Sequence, residues 1–278
     1  MTRTLPPVET DDGAQLAVVA DGPEDALLTV VLAHGWTLTH RSWDRVTRTL
    51  RRDRPEVRVL RADQRDHGSS TAPRLPAVIG RLADDLAAVI DAHAPNGGLV
   101  LGGHSMGGMT VIALAGRRPD LVERVRGVLL VNTSAGDLSR PLPVTVAMRM
   151  LALLPSSLPV PRVPSFAARR FGYGPGTRTT VVTGGRHGIR PTGARAVGSW
   201  FGALMSHDER EALHALDDVE VTVLVGAYDR LTPPQHSASI AASLPHSELV
   251  MVPDAGHMLP LERPRLVADH LESLLAER

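Results

Sequence analysis

The chain reads as an α/β protein, with a doubly wound, mostly parallel eight-stranded sheet interrupted by one inserted helical segment. Three observations predict this. Short runs nearly continuous in Val and Leu recur at 28–33, 57–62, 99–103, 126–131, 221–225 and 248–252, as in strands buried on both faces of a parallel sheet. Stretches with helical apolar spacing lie between them, at 42–52, 77–93, 106–117, 235–243 and 264–277. The alternation breaks between 137 and 216, where prolines cluster from 141 to 164 and glycines from 172 to 188.

Taken in order, the chain opens with a hairpin expected around Asp11-Asp12-Gly13, turn-forming residues that precede the first strong strand. Strand and helix then alternate to about residue 131. At 278 residues the chain can bury one large core, so the division expected is a core of 1–136 and 217–278 with a helical cap of 137–216 inserted after the sixth core strand. The cap is rich in flexible and aromatic apolar residues beyond what the sheet needs. Met148, Leu151, Phe166, Phe171, Trp200, Phe201 and Met205, with Trp36 and Met258 from the core, are the candidate lining of a mostly apolar small-molecule pocket. The plainer alternative is a set of surface helices that touch no ligand.

Composition excludes several chemistries. Thirty basic and thirty acidic residues give a formal net charge of zero, so no global field draws the protein to nucleic acid or an anionic membrane. All thirty basic residues are arginine; without lysine there is no Schiff-base chemistry and no P-loop. Without cysteine there is no disulfide, thiolate nucleophile or cysteine metal site. The polar N-terminus lacks a secretory signal's apolar core, which favours the cytoplasm. The longest apolar region, 142–160, is broken by Arg149, Pro155 and Pro159 and is not expected to span a membrane. The histidines show no metal-ligand spacing and the glycines no dinucleotide order, so neither metal nor cofactor is expected. The arginines between 41 and 58 are interrupted by Asp44, Asp53 and Glu56 and read as a solvated helix face. Oligomeric state is open.

The chemistry is carried by Gly103-His104-Ser105-Met106-Gly107, set between the run Leu99-Val100-Leu101 and a helix. This spacing predicts a nucleophile elbow, in which a sharp turn presents Ser105 while the flanking glycines remove Cβ atoms that would collide. A serine that only caps the following helix is the competing account. Partners should follow in the order acid, then histidine, each just after a strand. Asp229 follows the run 221–225, and His257 follows 248–252 in Pro253-Asp254-Ala255-Gly256-His257-Met258. Asp137 and Asp254 are the rival acids.

With these residues the chain resembles the α/β-hydrolase family over almost its whole length. The resemblance extends to His34-Gly35-Trp36, where the family builds half of its oxyanion hole, and to Asp63-Gln64-Arg65-Asp66-His67-Gly68-Ser69-Ser70, similar to the family's Asp-x-Arg-Gly-x-Gly-x-Ser turn. Asp66 stands where that turn usually has glycine. The resemblance implies a catalytic triad of Ser105, Asp229 and His257, and an oxyanion hole from the backbone N–H groups of Trp36 and Met106. His34 and His104 would support the site from behind. It further implies hydrolysis of a carboxylic ester with a hydrophobic acyl or alkyl part through an acyl-enzyme. Attack on another bond (a diketone C–C bond, a thioester or a lactone), or cofactor-free perhydrolysis, uses the same core residues. A ligand-binding protein or cyclase on this fold is the reading from a different class.

Overall fold

The computed structural model describes residues 2–71, 76–155, 158, 165–185 and 193–276. Strand β1 (Arg3–Thr4) opens the chain, and the expected turn joins β2 (Val8–Glu9) to β3 (Gln15–Leu16). Gly13, at φ 83°, takes the left-handed conformation that closes this turn. The hairpin is a separate two-stranded ribbon; β4 (Val18–Asp21), immediately beyond it, pairs antiparallel with β1 and enters the main sheet.

The expected alternation follows as β5 (Leu28–Ala33), α1 (Asp44–Asp53), β6 (Arg58–Ala62), α2 (Ile79–His93), β7 (Gly98–His104), α3 (Met106–Arg117), the short α4 (Pro119–Val122) and β8 (Val125–Val131). A 3₁₀ turn, His40–Trp43, takes the start of the helix expected at 42–52. Helices α5 (Leu142–Ala152), α6 (Ser165–Gly172), α7 (Thr179–Gly185) and α8 (Ala194–Ser206) occupy the interval before β9 (Glu220–Gly226). Then come α9 (Pro234–Ala242), β10 (Ser247–Val252), α10 (Leu259–Glu262) and α11 (Pro264–Ser273). The last helix thus stops short of the expected 277, which lies outside the described residues, as do Pro159, Pro161, Pro164 and Gly188 of the inserted interval.

The main sheet has eight strands in the order β1-β4-β6-β5-β7-β8-β9-β10. Its first two pairings are antiparallel and the remaining five parallel. The chain runs from β5 out to β6 and returns to β7 on the other side of β5. This reversal leaves a crevice at the carboxyl ends of β5 and β7, where open α/β sheets bind ligands. Ala33 pairs in register with Gly103, so residues 34–36 and 104–106 leave the sheet side by side.

Alternation along the strands divides the core. Val31, Leu60, Leu101 and Leu130 face α2 and α3, while Val30, Leu32, Val100 and Leu129 face α1 and α11. Helix α8 joins the first layer, burying Trp200 and Leu204 in it. Helix α5 lies across α8 and has no buried residue of its own. The close approach depends on Gly198, where a Cβ would strike the backbone of Met148 and Ala152. Gly198→Ala is expected to lift α5 from α8 at a cost of about 1–3 kcal/mol. Limited proteolysis between 140 and 155 should accelerate while the far-ultraviolet spectrum of the sheet stays unchanged.

Candidate active site

Ser105 sits at φ 54° and ψ −120°, a left-handed strain that costs about 1–3 kcal/mol for a non-glycine residue. Backbone bonds on both sides hold it there: its N–H donates to Val131 O at 2.9 Å, and its carbonyl accepts from Gly108 N at 2.8 Å and Thr133 Oγ1 at 2.7 Å. A Cβ on Gly103 would strike Gly107 and Gly108, and one on Gly107 would strike Ala33. The glycines of the motif are therefore required by contact. The Ser105 hydroxyl makes no capping bond to α3, which removes the capping account.

His257, on the loop after β10, is buried with its Nδ1 2.8 Å from Asp229 Oδ2. Asp229 follows β9 and accepts five hydrogen bonds. Leu231 N at 2.8 Å and Thr232 N at 2.9 Å reach Oδ1; Asn132 Nδ2 at 2.6 Å, Thr232 Oγ1 at 2.8 Å and His257 reach Oδ2. Burial alone would raise the pKa of this carboxyl. The attraction and hydrogen bond of His257, with the Thr232 and Asn132 donors, outweigh burial and hold it below the usual carboxylate value. The ionised acceptor places the proton of His257 on Nδ1, leaving Nε2 as the basic nitrogen. Of the rival acids, Asp137 is exposed and paired with Arg210 at 2.8 Å, and Asp254 is exposed on a turn at φ 57°.

The two supporting histidines are both neutral. His104 donates from Nε2 to the carbonyl of His257 at 2.8 Å, tying the elbow strand to the histidine loop. Burial, reinforced by the nearby His257, pushes its pKa down to about 3. His34 accepts from Gln64 N at Nε2 (2.9 Å) and donates from Nδ1 to Gly35 O (2.8 Å); burial and His67 push its pKa down to about 3. The Gln64 amide also donates to His34 O and lies 2.9 Å from the Thr110 hydroxyl on α3. The loop 34–36 is thus pinned from two sides. The backbone N–H groups of Trp36 and Met106 at its rim have no acceptor among the described residues.

Glu262, with Asn132 and Thr232, escaped the sequence reading. Its carboxylate accepts from Gly256 N at 3.0 Å and Met258 N at 3.1 Å, on either side of His257, and from Gly174 N at 2.8 Å and the Thr177 hydroxyl. One buried acid therefore fixes the histidine loop to the 172–177 segment. The signal available for Asn132 was its place directly after β8, on the same sheet edge as the other site residues.

The proposed pocket residues are not gathered into one lining. Trp36 is half-buried against Phe201, with ring centroids 5.9 Å apart, and its buried indole N–H has no acceptor among the described residues. Met148, Leu151, Met205 and Met258 are half-buried. Trp200 is packed in the core, where it donates from Nε1 to Asp66 Oδ2 at 3.0 Å. That bond explains an acid at the usual glycine position: Asp66, at φ 63°, carries the strain and holds α8 to the turn. Phe166 and Phe171 are exposed to solvent, since α6 turns both outward. Among the described residues, no three His, Asp or Glu side chains are placed to hold a metal ion.

The alpha/beta hydrolase fold model matches residues 29–264. The chain belongs to the alpha/beta hydrolase fold family. It is similar to an sn-1-specific diacylglycerol lipase of Mus musculus, at 28% identity over 79% of this chain and 72% of that one. A bifunctional esterase/perhydrolase of Acinetobacter calcoaceticus shares 28% identity over 91% and 93%. Among solved structures, a thermophilic esterase from Thermogutta terrifontis superposes with a TM-score of 0.78 at 27% identity, covering 99% of this chain and 98% of that one. The Thermogutta esterase thus shares the fold described above over nearly the whole of both chains.

Glu262→Ala leaves the Gly256 and Gly174 N–H groups without their acceptor and Met258 N with Gly172 O alone, and is expected to lower kcat/KM by about 10- to 100-fold, mostly in kcat. Glu262→Gln keeps one acceptor oxygen and should recover part of it in steady-state assays of both variants. His34 and His104 set an acid limit. Each has an ordinary pKa near 6.5 once unfolded, so below that pH the unfolded chain takes up protons that the folded chain refuses. Stability should be fully present above pH 6.5 and fall as pH drops toward 3, by about 2 kcal/mol per histidine at about pH 5. Urea unfolding across this range reads the slope, which His104→Gln should reduce by about one proton.

Proposed function

We propose that the protein is a serine hydrolase of carboxylic esters with a hydrophobic acyl or alkyl part. The observation that carries this reading is the buried His257–Asp229 pair at 2.8 Å, set behind a serine whose strained turn is fully bonded on its backbone side. Serine is a weak nucleophile at its free pKa. His257 Nε2 takes the Ser105 proton as Oγ attacks the carbonyl carbon, and Asp229 stabilises the imidazolium that results. The uncommitted N–H groups of Trp36 and Met106 meet the charge on the carbonyl oxygen. His257 returns the proton to the leaving alcohol, and the same nitrogen activates a water that releases the acid. The 137–216 interval serves as the cap over the acyl group, with Trp36, Phe201 and Met205 as its apolar contacts.

A second reading, transfer of the same acyl group to hydrogen peroxide, is supported by the likeness to an esterase/perhydrolase over nearly the whole chain. Both readings use one acyl-enzyme, so product analysis with and without peroxide separates them. On p-nitrophenyl esters of increasing acyl length, wild type should show a length preference, and a fluorophosphonate probe should label Ser105. Ser105→Ala should lose both, with kcat reduced on the order of 10⁴- to 10⁶-fold. Asp229→Asn should cost about 10⁴-fold, whereas Asp254→Asn should leave the rate unchanged. A rate for Asp229→Asn near wild type would remove it from the triad.

A further inference from the structure

The formal charge of zero conceals a strong segregation. Residues 138–207 contain nine arginines and no Asp or Glu, leaving twenty-one arginines against all thirty acids elsewhere, a formal −9. Within this acid-free segment Arg149, Arg169, Arg170, Arg178 and Arg195 are exposed and form no ion pair with any described residue.

The same segment exposes large apolar side chains. Helix α5 meets α8 along Met148 and Ala152, as the contacts at Gly198 require. A separate row, on its solvent side, is Leu142, Val146, Arg149 and Leu153, spaced i, i+4, i+7 and i+11, with Leu142 72% and Leu153 78% exposed. Helix α6 repeats the combination, with Phe166 77% exposed beside Arg169 and Arg170. Large apolar side chains exposed in a group mark an interaction site.

We propose that the outward faces of α5 and α6 dock the protein on an anionic lipid surface. The apolar side chains enter the headgroup–acyl boundary, and the arginine stems lie along it with their guanidinium groups on lipid phosphates. Charge of a single sign favours lipid as the occupant. Exposed leucine and phenylalanine interleaved with arginine, in a segment without a single acid, is the make-up of helices that lie in an anionic membrane interface. The docking rests on no step of the proposed reaction.

The test is co-sedimentation of full-length Ser105→Ala protein with vesicles of phosphatidylcholine alone or mixed with phosphatidylglycerol. Binding should be about tenfold or more tighter to the mixed vesicles and weaken with salt. Arg149→Glu with Arg169→Glu should abolish the preference, and Leu142→Ser with Leu153→Ser should weaken binding about tenfold. In a wild-type serine background, both pairs should hydrolyse a water-soluble short-chain ester at the unaltered rate. Equal or absent binding to the two vesicle types overturns the proposal, as does mixed-vesicle binding indifferent to both pairs. Competition by soluble polyglutamate that ignores the leucine substitutions assigns the surface to an acidic protein and overturns it too. Esterase activity without lipid binding would leave the proposed function standing and remove only the docking.

Discussion

A buried carboxylate governs the architecture of the site. An ionised acid withdrawn from water costs several kcal/mol unless its lone pairs are met, and Asp229 meets the cost with five donors drawn from three loops. That requirement fixes structure well beyond the acid. Asn132 turns its amide inward from a left-handed backbone at φ 48°, and the Thr232 hydroxyl, 2.8 Å from both Asn132 O and the carboxylate, shares its one proton between them. The ends of β8, β9 and β10 are thereby bound to one another. His257 inherits its orientation and its tautomer from that junction.

The histidine is held equally firmly from the opposite side. Glu262 fixes the amides of its two neighbours, and His104 donates to its carbonyl from the residue preceding the serine. Positioning by groups ordered before any substrate arrives is what allows charge stabilisation without reorganisation during reaction. Neutral His104 suits its place because an imidazolium there would stand 5.0 Å from the His257 ring, where the proposed reaction puts a positive charge. Burial enforces that neutrality at a cost which appears only in acid.

The fold, and the places of Ser105, Asp229 and His257 directly after their strands, were legible because their signals are local. Val/Leu runs of strand length mark a parallel sheet, and the glycines around Ser105 answer to clashes that any elbow of this kind must avoid. The rest of the site was not legible, since it arises from convergence. Asn132 lies 97 residues from the carboxylate it meets, and Glu262 lies 88 residues from Gly174. No short window contains such pairs. The composition of residues 137–216 likewise gave the number of apolar residues without their direction: Trp200 went to the core and Phe166 to solvent. Asp66 was visible as a departure from the usual turn, but its reason, the Trp200 indole, lies 134 residues away.

Charge segregation has a physical consequence apart from any partner. The acid-free segment leaves the sheet at the carboxyl end of β8, beside Asn132, and returns before β9, so its excess positive charge belongs to the same edge of the sheet as the site. A net-neutral chain with this separation carries a large dipole, whose field acts at short range and is damped beyond about 10 Å at 0.1 M salt. Use of arginine alone sharpens the effect. Guanidinium is more weakly hydrated than ammonium, stays charged when half-buried and tolerates apolar neighbours, as Arg170 does 5.7 Å above the Phe171 ring. An apolar surface can therefore hold these cations at low cost, whereas acids of opposite sign would draw them into internal pairs. With no acid across 138–207 to pair with them, Arg149, Arg169, Arg170, Arg178 and Arg195 stay exposed, as do Leu142 and Leu153.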